Sequence, residues 1–180
     1  MVDLGTGDIA LLNYAYALEQ LEAAFYTAVM ASPYSGMTRY ERSVLSDVKG
    51  HEIAHREFFR KALGSSRIPE LEITFPSVDF GNRGSVLRTA SMFEDLGVSA
   101  YNGAGALLTG AEHVAAVGTL VSVEARHAAI LRDLLSPDSE AFAGAAVVDA
   151  NGLDVANRPH AVLAKAGAFY KMKISAAHLP

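Results

Sequence analysis

The chain carries the tetrad Glu-x-x-His twice, as Glu52-Ile-Ala-His55 and as Glu124-Ala-Arg-His127, each in the middle of a long run with helical periodicity. With eleven Glu and six His among 180 residues, chance places roughly 0.4 such tetrads in a chain of this composition, and there are two. Positions i and i+3 share one face of a helix, so each tetrad presents a carboxylate and an imidazole side by side. A further acidic residue stands in the helical run before each tetrad. The first run reads LEQLEAAFY, with Glu19, Glu22 and Tyr26; the second reads FEDLGVSAY, with Glu94 and Tyr101. Seven residues separate Glu19 from Tyr26 and Glu94 from Tyr101, so each tyrosine stands two turns along the stripe of its own glutamate. Glu22 lies one turn from Glu19 on the same face, and the interval from Glu22 to Glu52 equals that from Glu94 to Glu124. Both Glu19 and Glu22 therefore stand as the first-helix acid; the tyrosine spacing favours Glu19.

The apolar periodicity predicts the helices that carry these groups. Leu11, Leu12, Ala15, Leu18, Leu21, Ala24, Phe25 and Ala28 mark a helix from Asp8 to Ala31, stopped by Ser32-Pro33. Thr38-Arg-Tyr-Glu41 is a capping box opening a second helix that runs to Gly64. Residues 64–84 are rich in Pro, Gly and Ser and read as a long crossover with one extended piece at Leu71–Phe75. A third helix is expected over Ser85–Leu108, with Gly97, Gly103 and Gly105 permitting close helix approach. Gly110 marks a tight turn before a fourth helix, Ala111–Leu135, ending at Ser136-Pro137. A short last helix is expected from Arg158-Pro159 to about Tyr170, with Pro159 suited to its first position. Four long helices with one long connection describe an all-α four-helix bundle over residues 1–135, and residues 136–180 form a C-terminal extension with one short helix packing on it.

The order Glu, Glu-x-x-His, Glu, Glu-x-x-His, one element per helix, resembles that of the ferritin-like di-iron and di-manganese carboxylate superfamily. The stretches LLNYAYALEQLEAAFY, HEIAHREFF, FEDLGVSAYNGA and VEARHAAIL are most similar to the desiccation-related ferritin-like proteins, a stress-response branch. The resemblance covers about residues 8–135 and is loose past residue 136. It implies that Glu19, Glu52, His55, Glu94, Glu124 and His127 are metal ligands, with Glu22 the alternative to Glu19, and that Tyr26 and Tyr101 donate hydrogen bonds to carboxylates. It also implies oxidoreductase chemistry with dioxygen or hydrogen peroxide: ferrous-iron oxidation of the ferroxidase type, or manganese-catalase-like disproportionation. A non-catalytic metal-binding protein is the reading of another class. Charge supports metal independently, because four carboxylates meeting in a core are very costly without counter-charge. Two divalent ions balance them, and mixed carboxylate and imidazole donors suit Fe, Mn or Zn over Ca or Mg; the resemblance to the superfamily's iron members implies Fe first, with Mn or Zn as alternatives.

The second helix also contains His51-Glu52-Ile-Ala-His55, the zinc-protease pattern H-E-x-x-H. That reading fails because no G-x-x-H continuation follows. In addition, a third ligand would have to come from Glu70 or Glu72 in the crossover, and Val123 replaces His51 in the second copy. His51 is therefore expected to face away from the site. His113, His160 and His178 lack partners at ligand spacing and are expected at the surface, as are the carboxylates Asp95, Glu57, Glu112 and Asp133. The net charge of −5 argues against a nucleic-acid surface. Without cysteine there is no disulfide, thiolate zinc site or iron–sulfur cluster. The opening residues MVDLGTGD have neither a basic nor an apolar signal region, so no signal peptide is expected here, unless one has been trimmed. No charge-free apolar run of spanning length predicts a membrane segment. A homo-oligomer is compatible with this reading.

Overall fold

The computed structural model describes residues 1–179. Helix α1 spans Gly7–Ala31, α2 Arg39–Leu63, α3 Arg83–Gly105 and α4 Ala111–Leu135, and a short α5 spans Pro159–Ala166. Two two-residue strands, β1 (Val2–Asp3) and β2 (Ile174–Ser175), pair in parallel. The four long helices form an all-α bundle in which α1 packs along α2, and α3 along α4.

The local signals explain the helix ends. The Thr38 hydroxyl accepts from the backbone N–H of Glu41, and the Glu41 carboxylate accepts from that of Thr38, the reciprocal capping box expected at the start of α2. Gly64 follows α2 at φ 53°, a conformation that favours glycine. Helix α3 starts two residues earlier than its periodicity suggests because Asn82 caps it, its side-chain oxygen accepting from the Ser85 N–H. It stops at Gly105, three residues early, where the N–H groups of Leu107 and Leu108 turn back to the Ala104 carbonyl. Helix α5 stops at Ala166 and gives way to a 3₁₀ turn over Gly167–Phe169, which leaves Tyr170 extended.

Helix α1 is the central element: every residue from Ala10 to Ala23 is buried, with no solvent face along that stretch. The crossover covers the side that the other helices leave open. Asn13 donates to the Ser66 carbonyl (2.9 Å) and accepts from the Ile68 N–H (2.8 Å), and Gln20 accepts from the Leu71 N–H (2.7 Å). Two buried amides thus satisfy the backbone of a segment whose regular structure is little more than a 3₁₀ turn at Gly64–Ser66. The extended piece expected at Leu71–Phe75 makes a single antiparallel bridge, Ile73 with Tyr170.

The C-terminal extension closes one side of the bundle. Phe169 packs edge-on against Phe93, with ring centroids 4.9 Å apart, and Phe75, Phe25 and Phe80 continue the cluster. The Tyr170 hydroxyl donates to the Ala17 carbonyl at 2.9 Å. Two glycines of α3 serve close approach: Gly97 faces Glu22 of α1, and Gly103 faces the C-terminal extension. A Cβ on Gly103 would sit 1.9 Å from the Asn157 carbonyl oxygen, so the backbone of the extension can come this close to α3 only at a glycine. Helix α4 is long and apolar enough to cross a membrane by length and composition, but its Glu124 and His127 are buried inside the bundle.

Candidate metal centre

Each of the four long helices contributes to one buried cluster. Glu19 comes from α1, Glu52 and His55 from α2, Glu94 from α3, and Glu124 and His127 from α4; all four carboxylates are fully buried. The ligand atoms fall into two groups able to hold a metal ion: Glu19, Glu52, His55 and Glu124 in one, Glu52, Glu94, Glu124 and His127 in the other. Within each group the offered atoms lie within 4.8 Å of one another.

Glu52 and Glu124 belong to both groups and use different oxygens in each. His55 Nδ1 lies 2.7 Å from Glu124 Oε1 and 3.6 Å from Glu52 Oε2. His127 Nδ1 lies 2.9 Å from Glu52 Oε1 and 3.4 Å from Glu124 Oε2. Glu19 Oε2 stands 3.6 Å from His55 Nδ1, and Glu94 Oε2 stands 3.3 Å from His127 Nδ1. The sites are thus related by an approximate two-fold that exchanges α1 with α3 and α2 with α4. Despite these short distances, both Nδ1 atoms and six carboxylate oxygens of the cluster, two each from Glu52 and Glu124, lack an aligned hydrogen-bond partner. Buried polar atoms are normally paired, so this many facing one another suits a set of donors for a cation.

The electrostatics agree. Burial pushes the carboxyls of Glu19 and Glu94 well above their usual range, and the neighbouring carboxylates Glu124 and Glu52 add to this. Burial also opposes charge on Glu124, but contact with His127 and His55 outweighs it and lowers that carboxyl to about 2. For the imidazoles burial alone lowers the pKa, yet the surrounding carboxylates push His55 and His127 up to about 12. Without a cation, the cluster balances itself only by holding protons.

The tyrosines add a link between the two halves. Each does donate to a carboxylate, but to the one on the opposite helix. The Tyr26 hydroxyl of α1 donates to Glu94 Oε1 of α3 at 2.5 Å, and the Tyr101 hydroxyl of α3 donates to Glu19 Oε1 of α1. Sharing a stripe points both side chains into the core, where the facing helix is nearer than a group two turns along. Burial, with the neighbouring carboxylate, raises both phenols well above their usual value, so the O–H remains a donor.

Of the two first-helix acids, Glu19 joins a cluster group and Glu22 does not. Glu22 is nonetheless buried, 3 % exposed. Its counterpart in the second half is Gly97, whose missing side chain leaves the room Glu22 fills; a Cβ there would lie 3.0 Å from Glu22 Oε1.

His51 is the residue that sequence reasoning missed. It is exposed but does not face away: its Nδ1 lies 2.9 Å from His127 Nε2. The position one before Glu52 looked unrelated to the tetrad on its own helix, and only the neighbouring α4 brings His127 to it. An open groove of about 400 Å³ between α2 and α4 exposes the outer edges of His51, His55 and His127, with Val44, Val123 and Ile130 along it. His160 and His178 are exposed as expected. His113 is half-buried and pairs with Asp8 at 2.7 Å, tying the start of α1 to the α3–α4 turn.

A family model described as the ferritin-like domain matches residues 7–137, most of the chain and all four bundle helices. The chain belongs to that ferritin-like family. A comparison with curated proteins finds no significant match.

Proposed function

We propose that this chain holds two divalent transition-metal ions through Glu19, Glu52, His55, Glu94, Glu124 and His127, and uses them in redox chemistry with dioxygen or hydrogen peroxide. Ferrous iron is the first substrate to test. One observation carries the reading: Glu52 and Glu124 each turn one oxygen toward either histidine, so two carboxylates are placed to serve two ions at once. Four carboxylates balance two divalent charges when both imidazoles are neutral. Glu22, whose carboxyl burial raises well above its usual range, stays outside that balance as a neutral acid.

Iron or manganese bound here supplies one-electron redox steps at neutral pH; zinc would leave a structural site. The residues do the rest. Glu52 and Glu124 would contribute an oxygen to each ion, while Glu19 and Glu94 would each serve one. Tyr101 and Tyr26 fix those end carboxylates through O–H donation. The aromatic cluster around Phe93 excludes water on one side, and the groove between α2 and α4 admits small molecules on the other. No cysteine is present to carry a cluster, so electrons come from ferrous iron itself or from peroxide.

The test is metal content followed by turnover. Protein purified with iron or manganese supplied should hold two ions per chain, and Glu52→Ala combined with Glu124→Ala should hold none. Rapid mixing of the metal-free protein with ferrous salt in air should outpace buffer, and Glu94→Ala should remove the excess rate. Two bound ions with no ferrous acceleration, but oxygen release from peroxide by the manganese form, would replace this chemistry with the catalase type. A wild type that binds no ion under any supply overturns the metal reading.

A further inference from the structure

Besides Glu22 and Gly97, the two halves of the site differ beside their histidines. Their donor sets match residue for residue, and the tyrosines match too. Outside the cluster, however, His127 has a partner and His55 has none. His127 turns Nδ1 toward the carboxylates and Nε2 toward His51 Nδ1 at 2.9 Å. The His51 and His127 rings lie within 9° of parallel, with centroids 5.2 Å apart. That separation exceeds the nitrogen–nitrogen distance by about the width of one imidazole, so the rings meet end to end, close to one plane. This is the geometry of an in-line N–H···N hydrogen bond and not of a face-to-face stack. At the matching position beside His55 the fourth helix carries Val123, which has neither lone pair nor proton to offer. No hydrogen bond to the outer nitrogen of His55 is present among the described residues.

A neutral imidazole has one N–H and one lone pair, and a metal needs the lone pair. A metal ligand whose other nitrogen is held by an acceptor has its tautomer and ring direction set in advance. For His127 to offer Nδ1, its proton must sit on Nε2, and His51 Nδ1 accepts it there. His51 then carries its own proton on Nε2.

We propose that His51 is a positioning residue that makes the two metal subsites unequal: it presets His127, so that the subsite of Glu52, Glu94, Glu124 and His127 takes its ion first and more tightly than the subsite of His55. The proposal rests on the metal-binding reading above. It also gives His51 of the H-E-x-x-H sequence a role in a dinuclear site, without making it a ligand.

The test uses the full chain, stripped of metal and titrated with zinc, which adds no redox chemistry. Calorimetry reads the two binding steps, and ring-nitrogen resonances of ¹⁵N-histidine-labelled protein report which histidine is engaged at each. In the wild type, His127 Nδ1 should respond during the first equivalent and His55 during the second. His51→Leu should weaken the His127 step about 10–100-fold, the usual cost of losing such an outer partner, and leave the His55 step unchanged. His51→Gln, whose side-chain oxygen can accept the same proton, should restore most of the loss. Val123→His should tighten the His55 step and bring the two steps together. Thermal melts of the metal-free variants check that the fold is intact; His51 and Val123 both lie at the groove, outside the core. Two wild-type ions with both steps unchanged in His51→Leu, with equal weakening of both, or with His55 engaged first, would overturn this inference while leaving the dinuclear reading standing. No zinc bound by the wild type would overturn both.

Discussion

Glu22 is the fifth buried carboxylate of the bundle, and replacing it with glutamine separates the cost of burying charge from the task of holding metal. It is 3 % exposed and one of its oxygens has no hydrogen-bond partner. Burial raises its carboxyl well above the ordinary carboxylate range, and Glu52, Glu94 and Glu124 push it further the same way. A group whose folded pKa is raised in this way lowers stability as pH climbs above its unfolded value, because the unfolded chain releases the proton first. Holding that proton from the ordinary carboxyl value up to pH 7 costs at most about 3 kcal/mol, at 1.36 kcal/mol per pH unit. Glu22→Gln keeps the shape and removes the ionisation. At pH 7, metal-free protein should gain about 1–3 kcal/mol, which for a chain of this size raises the melting temperature by roughly 3–10 °C. The gain should vanish below pH 4.5, and should shrink when metal neutralises the neighbouring carboxylates. Elemental analysis should still find two ions, whereas Glu19→Gln should lose one. Differential scanning calorimetry in chelator, across pH 4–8, makes the comparison. A melting temperature that falls on substitution at pH 7, or the loss of an ion, would refute the assignment of Glu22 as a neutral acid outside the donor set.

Both imidazoles are charged at neutral pH in the metal-free protein, so loading should expel a proton from each, and affinity should rise with pH; a weakly buffered indicator titration reads the release. Asp8 is held well below its usual value by His113 and by the N–H groups of Gly110 and Thr109. Its contribution to stability is therefore full above pH 3.8 and shrinks as pH falls below it, so Asp8→Asn should lower the melting temperature at pH 7, by a difference that narrows as melts are taken from pH 4 towards pH 2. Phe169→Ala removes a ring packed on Phe93 and Phe75 and should cost about 3–5 kcal/mol by chemical denaturation. A cost below 1 kcal/mol would mean that the extension does not seal the bundle.

Much of this molecule can be read along the chain. Helical periodicity and the Thr38–Glu41 capping box are local, because backbone groups within a turn or two of each other make them. The boundaries of α1, α2 and α4 therefore sit within a residue of those expected. The doubled Glu-x-x-His tetrad carries its own geometry for the same reason: a helix fixes which side chains share a face. Contacts between helices follow no such rule. Spacing places Tyr26 and Tyr101 on the stripes of Glu19 and Glu94, but the packing of α1 against α3 decides that each hydroxyl crosses to the other helix. Periodicity leaves Glu19 and Glu22 on one face; the space above Gly97, 75 positions away in sequence, draws one of them out of the cluster. Looking along α2 alone, His51 points away from Glu52. It meets His127 because α4 lies beside it, and the direction of a side chain relative to another helix is settled only when the helices have packed.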